Sequence, residues 1–129
     1  MTIELRMLMW SIVLGLLLIM IATLCTVGQR GLAWAASPRD EVKPPLAGIG
    51  GRLDRARANF LETFPLFLAV VVAAHLLQRH DSATVLGAQL YFWARVAHVP
   101  VYAAGIPYLR TLIWAVSIVG IVMLLGALF

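Results

Sequence analysis

Two short polar strings, set inside otherwise apolar sequence, hold the side chains of this chain that could do chemistry. Arg55, Asn59 and Glu62 form the first, and Tyr91, Arg95, His98 and Tyr102 the second. Each steps by three or four residues, which places it along one face of a helix. Arg52 lies close to the first arc, and Arg110, beside Thr111, stands at the head of a later apolar run. Arginine forks suit carboxylates. A glutamate suits an ammonium group, and tyrosine hydroxyls donate to a carboxylate or an incipient anion. Arg52, Arg55, Arg95 and Arg110 face one carboxylate, Glu62. That imbalance asks for a small anionic or zwitterionic ligand bearing carboxylate, phosphate or thiolate. The competing reading is structural: Glu62 pairs with Arg95, and Asn59 and the tyrosines complete a closed network that fixes helix register.

The elements that must position these strings are membrane-like. The chain has 129 residues, of which 62% are hydrophobic and 12% charged. Soluble domains are about 45–50% apolar and about 25% charged. The composition is that of an all-α membrane protein with a single domain over residues 1–129. A charge at the centre of a membrane helix costs about 2.5–3.5 kcal/mol, so three unpaired charges cost on the order of 10 kcal/mol. That matches the whole stability of a domain. The strings therefore face one another, water or a ligand.

Four spans are expected, over residues 7–27, 52–77, 83–104 and 111–129. The first is uncharged and long enough for a core of about 30 Å. Ala33-Trp34-Ala35 resembles a signal cleavage site, but the apolar run before it is too long for a signal core and the chain begins at Met1. Residues 28–51 form a connector that Pro38, Pro44, Pro45, Gly48, Gly50 and Gly51 keep from being helical. Pro65 and Pro100 are expected to kink their helices. Short turns after the second and third spans make neighbours antiparallel, giving an up-down four-helix bundle. Arg30, Arg39, Lys43, Arg52 and Arg110, with Arg55 and Arg57 nearby, fall on one side; Arg6 and Arg79 fall on the other. The first connector is therefore expected to be cytoplasmic, with both termini opposite. Arg57 points away from the polar arc, toward lipid headgroups.

Several classes are disfavoured. The net charge of +4 is not arranged as a basic groove with interleaved aromatics, so no nucleic-acid partner is expected. The single cysteine, Cys25, permits no intrachain disulfide and no cysteine-rich metal site. His75, His80 and His98 do not share a face, so no metal site is expected. No Ser-His-Asp nucleophile is supported, and His75 and His80 read as polar tips at span ends.

The residues that carry the chemistry also carry a resemblance. The stretch Arg55-Ala56-Arg57-Ala58-Asn59-Phe60-Leu61-Glu62-Thr63-Phe64-Pro65 resembles the second-helix signature of the MAPEG family, the membrane-associated proteins of eicosanoid and glutathione metabolism. Arg95-Val96-Ala97-His98-Val99-Pro100-Val101-Tyr102, then Gly105-Ile106-Pro107 and Arg110-Thr111, resemble its third- and fourth-helix signatures. The resemblance is close over about residues 52–114, and the four-span plan extends it to the whole chain.

This resemblance implies a homotrimer that binds glutathione as co-substrate between subunits. It places Arg55, Asn59, Glu62, Arg95, His98 and Tyr102 at glutathione-binding positions. Arg110 falls at the position proposed to activate the glutathione sulfur. Arg30, Arg52, Tyr91 and Thr111 are further candidates. A transferase or peroxidase acting on a lipophilic small molecule that arrives through membrane lipid is the activity implied. The chain departs from the better-known members after the first span. They carry a dense basic cluster there, whereas Gly28–Trp34 holds only Arg30. Eicosanoid synthesis is not implied. The alternative expectation is a non-catalytic protein that holds a lipid headgroup or another anionic metabolite between subunits.

Overall fold

The computed structural model describes all residues, Met1–Phe129, and contains helices only. They are α1 (Ile3–Arg30), α2 (Leu32–Ala36), α3 (Gly48–Leu76), α4 (Ser82–Ala104) and α5 (Pro107–Gly126). α1, α3 and α5 are long and apolar enough to cross a membrane. α4 has the length, at 23 residues, but Gln89, Arg95 and His98 lower its hydropathy. Of the four expected spans, three are thus long and apolar enough to cross a membrane, and the fourth long helix carries the second polar string.

Local chemistry explains the boundaries. Thr2 caps α1 by accepting from the Leu5 N–H at 3.3 Å. Asp81 caps α4 through a capping box with Thr84, its carboxylate accepting from the Ala83 and Thr84 N–H groups at 2.8 and 2.9 Å. α4 ends at Gly105, whose φ of +76° is left-handed and suits glycine. Pro107 then opens α5 at its first turn, where a missing N–H is harmless. α5 thus begins before the expected residue 111.

The glycine run from Gly48 corrects the connector. α3 starts there and runs through Gly50 and Gly51. Both glycines are buried because the chain doubles back onto them. A Cβ on Gly50 would meet the Gln29 amide at 2.6 Å, and one on Gly51 would collide with the Leu46 carbonyl. Close approach, not helix breaking, explains the glycines at 50 and 51. α1 likewise runs through Gly28 to Arg30, shortening the connector at its other end. Pro65 and Pro100 lie inside unbroken helices.

Successive long helices reverse direction. Gln29 at the end of α1 exchanges two hydrogen bonds with the Ala47 backbone. Arg52 near the start of α3 donates to the Ala103 carbonyl at the end of α4, at 3.0 Å. At the opposite end, Glu4 of α1 accepts from the Thr84 hydroxyl at 2.6 Å. The core lies toward that opposite end, where Met7, Leu8, Phe67, Val71, Phe92, Ile121 and Leu124 pack around Tyr91. α4 and α5 form the most extensive helix contact. A Cβ on Gly87 would come within 2.7 Å of the Gly120 carbonyl oxygen, so the two backbones touch. Most large apolar side chains outside this core are exposed, among them Leu16, Trp93 and Val122. Such a surface belongs in lipid or against another protein.

Candidate functional site

The polar strings meet at the connector end of the bundle. Gly15 of α1 opens the first step, since a Cβ there would lie 2.8 Å from the ring of Phe60. Phe60 occupies that gap, and the Arg95 guanidinium lies 5.6 Å from its ring centroid. Arg95 is 1% exposed, and its Nη2 donates to Asn59 Oδ1 at 2.9 Å. This bond commits the amide oxygen of Asn59 inward and frees its NH₂ as a donor. Arg95 Nε and Nη1 are buried without partners.

A cavity of about 230 Å³ opens beside Asn59, lined by His98, Tyr102, Arg110, Thr111 and Trp114. His98 and Tyr102 follow Arg95 on one face of α4, and their rings are 5.4 Å apart. The Arg110 guanidinium sits 4.7 Å from the Tyr102 ring centroid, a cation–π contact that holds it at the rim. The Thr111 hydroxyl donates to the Pro107 carbonyl at 3.2 Å. Tyr102 and Arg110 also line a second recess of about 130 Å³, with Arg52 and Arg55. The two hollows form one trough with three arginines and no carboxylate along it. Such a trough attracts anions and holds them by charge-assisted hydrogen bonds.

Not every expected residue reaches this trough. Glu62 is exposed and outside both hollows. The Glu62–Arg95 pair expected of a purely structural network does not form within the chain. Asn59, three residues earlier on α3, takes Arg95 instead. Arg95 lies behind the trough, acting on it through Asn59. Tyr91 is a core residue: it is wholly buried, stacks on Phe67 at 4.0 Å and hydrogen-bonds Thr63 at 3.1 Å. Arg30 lies at the end of α1, where it donates to the Pro44 carbonyl at 2.9 Å and covers Trp34. It lines a separate recess with Lys43 and Arg55.

Two features escaped the sequence reading. Trp114 walls the trough, and its spacing of four from Arg110 is the signal that could have found it. Glu4 is buried at the far end with Thr84, and His80 Nδ1 lies 3.3 Å from it. Spacing within α1 gives no hint of that partner.

The fold and trough together define a helical integral membrane protein with a basic, anion-seeking site at one end of its bundle. The MAPEG family matches over residues 7–129, nearly the whole chain, and the protein belongs to that family. No curated protein matches the chain.

Proposed function

We propose that the protein is a membrane enzyme of the glutathione transferase or peroxidase type, acting on lipophilic electrophiles. The observation that carries this reading is the carboxylate-free trough where Arg52, Arg55 and Arg110 converge beside Asn59, His98 and Tyr102. Glutathione offers two carboxylates and a thiol to such a site. In this reading Arg55, Asn59, His98 and Tyr102 bind its polar ends, Arg95 positions Asn59, and Arg110 faces the sulfur. The family's inclusion of glutathione transferases supports it further.

The activation step has a definite size. A free thiol titrates near about 8.5. Lowering that by two units takes about 2.7 kcal/mol of preference for the thiolate. A guanidinium in a poorly hydrated pocket supplies an interaction of that order. The thiolate then attacks an electrophilic carbon and expels its leaving group as an anion.

The assembly is part of the proposal. The two hollows, about 230 and about 130 Å³, together sit at the low end of the roughly 300–1,000 Å³ typical of ligand pockets, and both are open on one side. Glu62, exposed and without a cation, is free to receive an ammonium group from a ligand spanning two chains. A homotrimer of four-span bundles, with the connector cytoplasmic and both termini opposite, supplies the missing wall.

The test is turnover by the purified assembly with glutathione and 1-chloro-2,4-dinitrobenzene or a lipid hydroperoxide. Turnover above background is expected, lost in Arg110→Ala while glutathione still binds. A background rate in the intact protein, unchanged by Arg110→Ala, overturns the catalytic assignment. One observation favours the alternative, a non-catalytic site for an anionic metabolite or headgroup: within the chain, no acid lines the trough to receive glutathione's ammonium. Calorimetric titration separates the two, because saturable glutathione binding without turnover supports only the binding role.

A further inference from the structure

A larger hollow than either part of the trough lies along the seam between α4 and α5. It measures about 370 Å³, within the roughly 300–1,000 Å³ typical of ligand pockets. Gln89 and Trp93 stand in its α4 wall, Ala94 and Ala97 lie beside them, and Ile113 and Val116 form the α5 wall. None of its lining residues borders the trough.

Small side chains create the space. α4 and α5 touch backbone to backbone at Gly87 and Gly120. Because the two helices are antiparallel, seven residues further toward the connector Ala94 comes opposite Ile113. Alanine there, and again at 97, withholds the volume that a leucine would fill. The resulting groove has a shallow methyl floor, suited to a flat ring, between bulkier apolar walls. No charged residue lines it, so it selects a neutral molecule.

Two polar groups interrupt this apolar lining. Gln29 and Trp34 elsewhere in the chain find backbone partners, at 3.0 and 2.8 Å. No group in the chain pairs with the Gln89 amide or the Trp93 indole N–H. Gln89 lies seven residues beyond Ser82 on the 23-residue α4, about 10 Å along its axis. That depth falls inside a hydrocarbon core of about 30 Å, where no water satisfies an amide. Trp93 is exposed along the groove, and Phe92 packs on its indole with ring centroids 4.9 Å apart, which steadies it.

Gln89 and Trp93 are one turn apart on the same face, so their N–H donors are offered about 6 Å from each other along one edge of the groove. The complement is a neutral, membrane-soluble molecule with two acceptors at that spacing. A para-quinone holds its two carbonyl oxygens at opposite ends of one flat ring. Acyl esters present carbonyls as well, but on flexible chains whose ordering opposes binding. We infer that the α4–α5 groove binds a lipophilic para-quinone. Its ring lies over Ala94 and Ala97, its carbonyls accept from Gln89 and Trp93, and its tail leaves through the open side into lipid. The site is independent of the glutathione proposal, since none of its residues takes part in that chemistry.

The experiment is native mass spectrometry of the detergent-solubilised protein with decylubiquinone, decylbenzene or a diacylglycerol. Saturable retention of decylubiquinone is expected, in preference to both other probes. Gln89→Leu should weaken it about five-fold, which converts to about 1 kcal/mol for one hydrogen bond. Trp93→Phe, which keeps an aromatic ring and removes the N–H, should weaken it by a similar factor. Ala97→Leu should abolish retention by filling the groove. Should Ala97→Leu lose helicity, Gln89→Leu and Trp93→Phe still decide the question. Equal retention of decylbenzene or the diacylglycerol overturns the inference, as does unchanged affinity in Gln89→Leu and Trp93→Phe. A changed oligomeric state in Gln89→Leu, read by light scattering, also overturns it, because the amide would then pair with a helix of another chain.

Discussion

Arg95→Met removes a charge that the bundle keeps almost wholly from solvent. Arg95 holds one hydrogen bond, to Asn59 at 2.9 Å, and leaves Nε and Nη1 buried without partners. A hydrogen bond to a charged group contributes about 1.5–3 kcal/mol, and each buried unpaired donor costs about 1–3 kcal/mol. Two such donors cost about 2–6 kcal/mol together, against about 1.5–3 kcal/mol from the single bond. Methionine fills much of the same space with no polar donor. The variant without ligand is therefore expected to range from about 1 kcal/mol less stable to about 4 kcal/mol more stable. At this chain length 1 kcal/mol moves the melting midpoint by about 4 °C. Thermal unfolding followed by circular dichroism, with and without glutathione, reads both halves of the argument. Glutathione should raise the wild-type midpoint and leave the variant's nearly unmoved, because Asn59 has lost the group that orients its amide. A ligand-free midpoint lowered by about 8 °C or more would show that Arg95's donors are satisfied in the assembled protein. Equal stabilisation of both proteins by glutathione would remove Arg95 from the site.

Glycine substitutions should separate contact from conformation. Gly87→Ala drives a methyl against the Gly120 carbonyl and should cost about 1–3 kcal/mol in thermal unfolding. Gly28→Ala, inside α1 with nothing within 4 Å, should be neutral or stabilising by up to about 1 kcal/mol. Asp81→Ala should cost about 1 kcal/mol, read by denaturant unfolding, because α4 loses its capping box. Gly15→Ala should displace Phe60 from beneath Arg95, and a fall in glutathione affinity at preserved helicity would register it.

The sequence made the long helices and the polar faces legible, because both depend on local periodicity. Asn59, His98, Tyr102, Arg110 and Thr111, expected together, line one cavity. It did not make legible which polar group meets which across helices. That is decided by helix rotation, and here Gly15 sets it by admitting Phe60, which leaves Arg95 opposite Asn59 and Glu62 outside. Tyr91 shares the face of Arg95 but sits one turn deeper, among Phe67 and Thr63, so a shared face did not mean a shared site. The glycines from 48 to 51 were misread for a related reason. Their low helix propensity is local, whereas the crowding by Leu46, Cys25 and Gln29 that calls for them at 50 and 51 is tertiary.

The polar groups of this bundle are distributed unevenly along its axis, and that unevenness constrains what they do. Around the apolar core, α4 and α5 touch backbone to backbone at Gly87 and Gly120 and the buried Tyr91 hydroxyl is paired. That end needs no further polar group to hold. At the connector end, two Arg95 donors lack acceptors and Glu62 lacks a cation. These are opposite deficits on neighbouring helices, and the chain does not cancel one with the other although only three residues on α3 separate Asn59 from Glu62. A network serving only helix register would close that pair, since an uncompensated buried charge is among the costliest features a fold can carry. Leaving it open is consistent with a site completed by something outside the single chain, and a zwitterion with carboxylates for the arginines and an ammonium for Glu62 has the charge pattern that completes it.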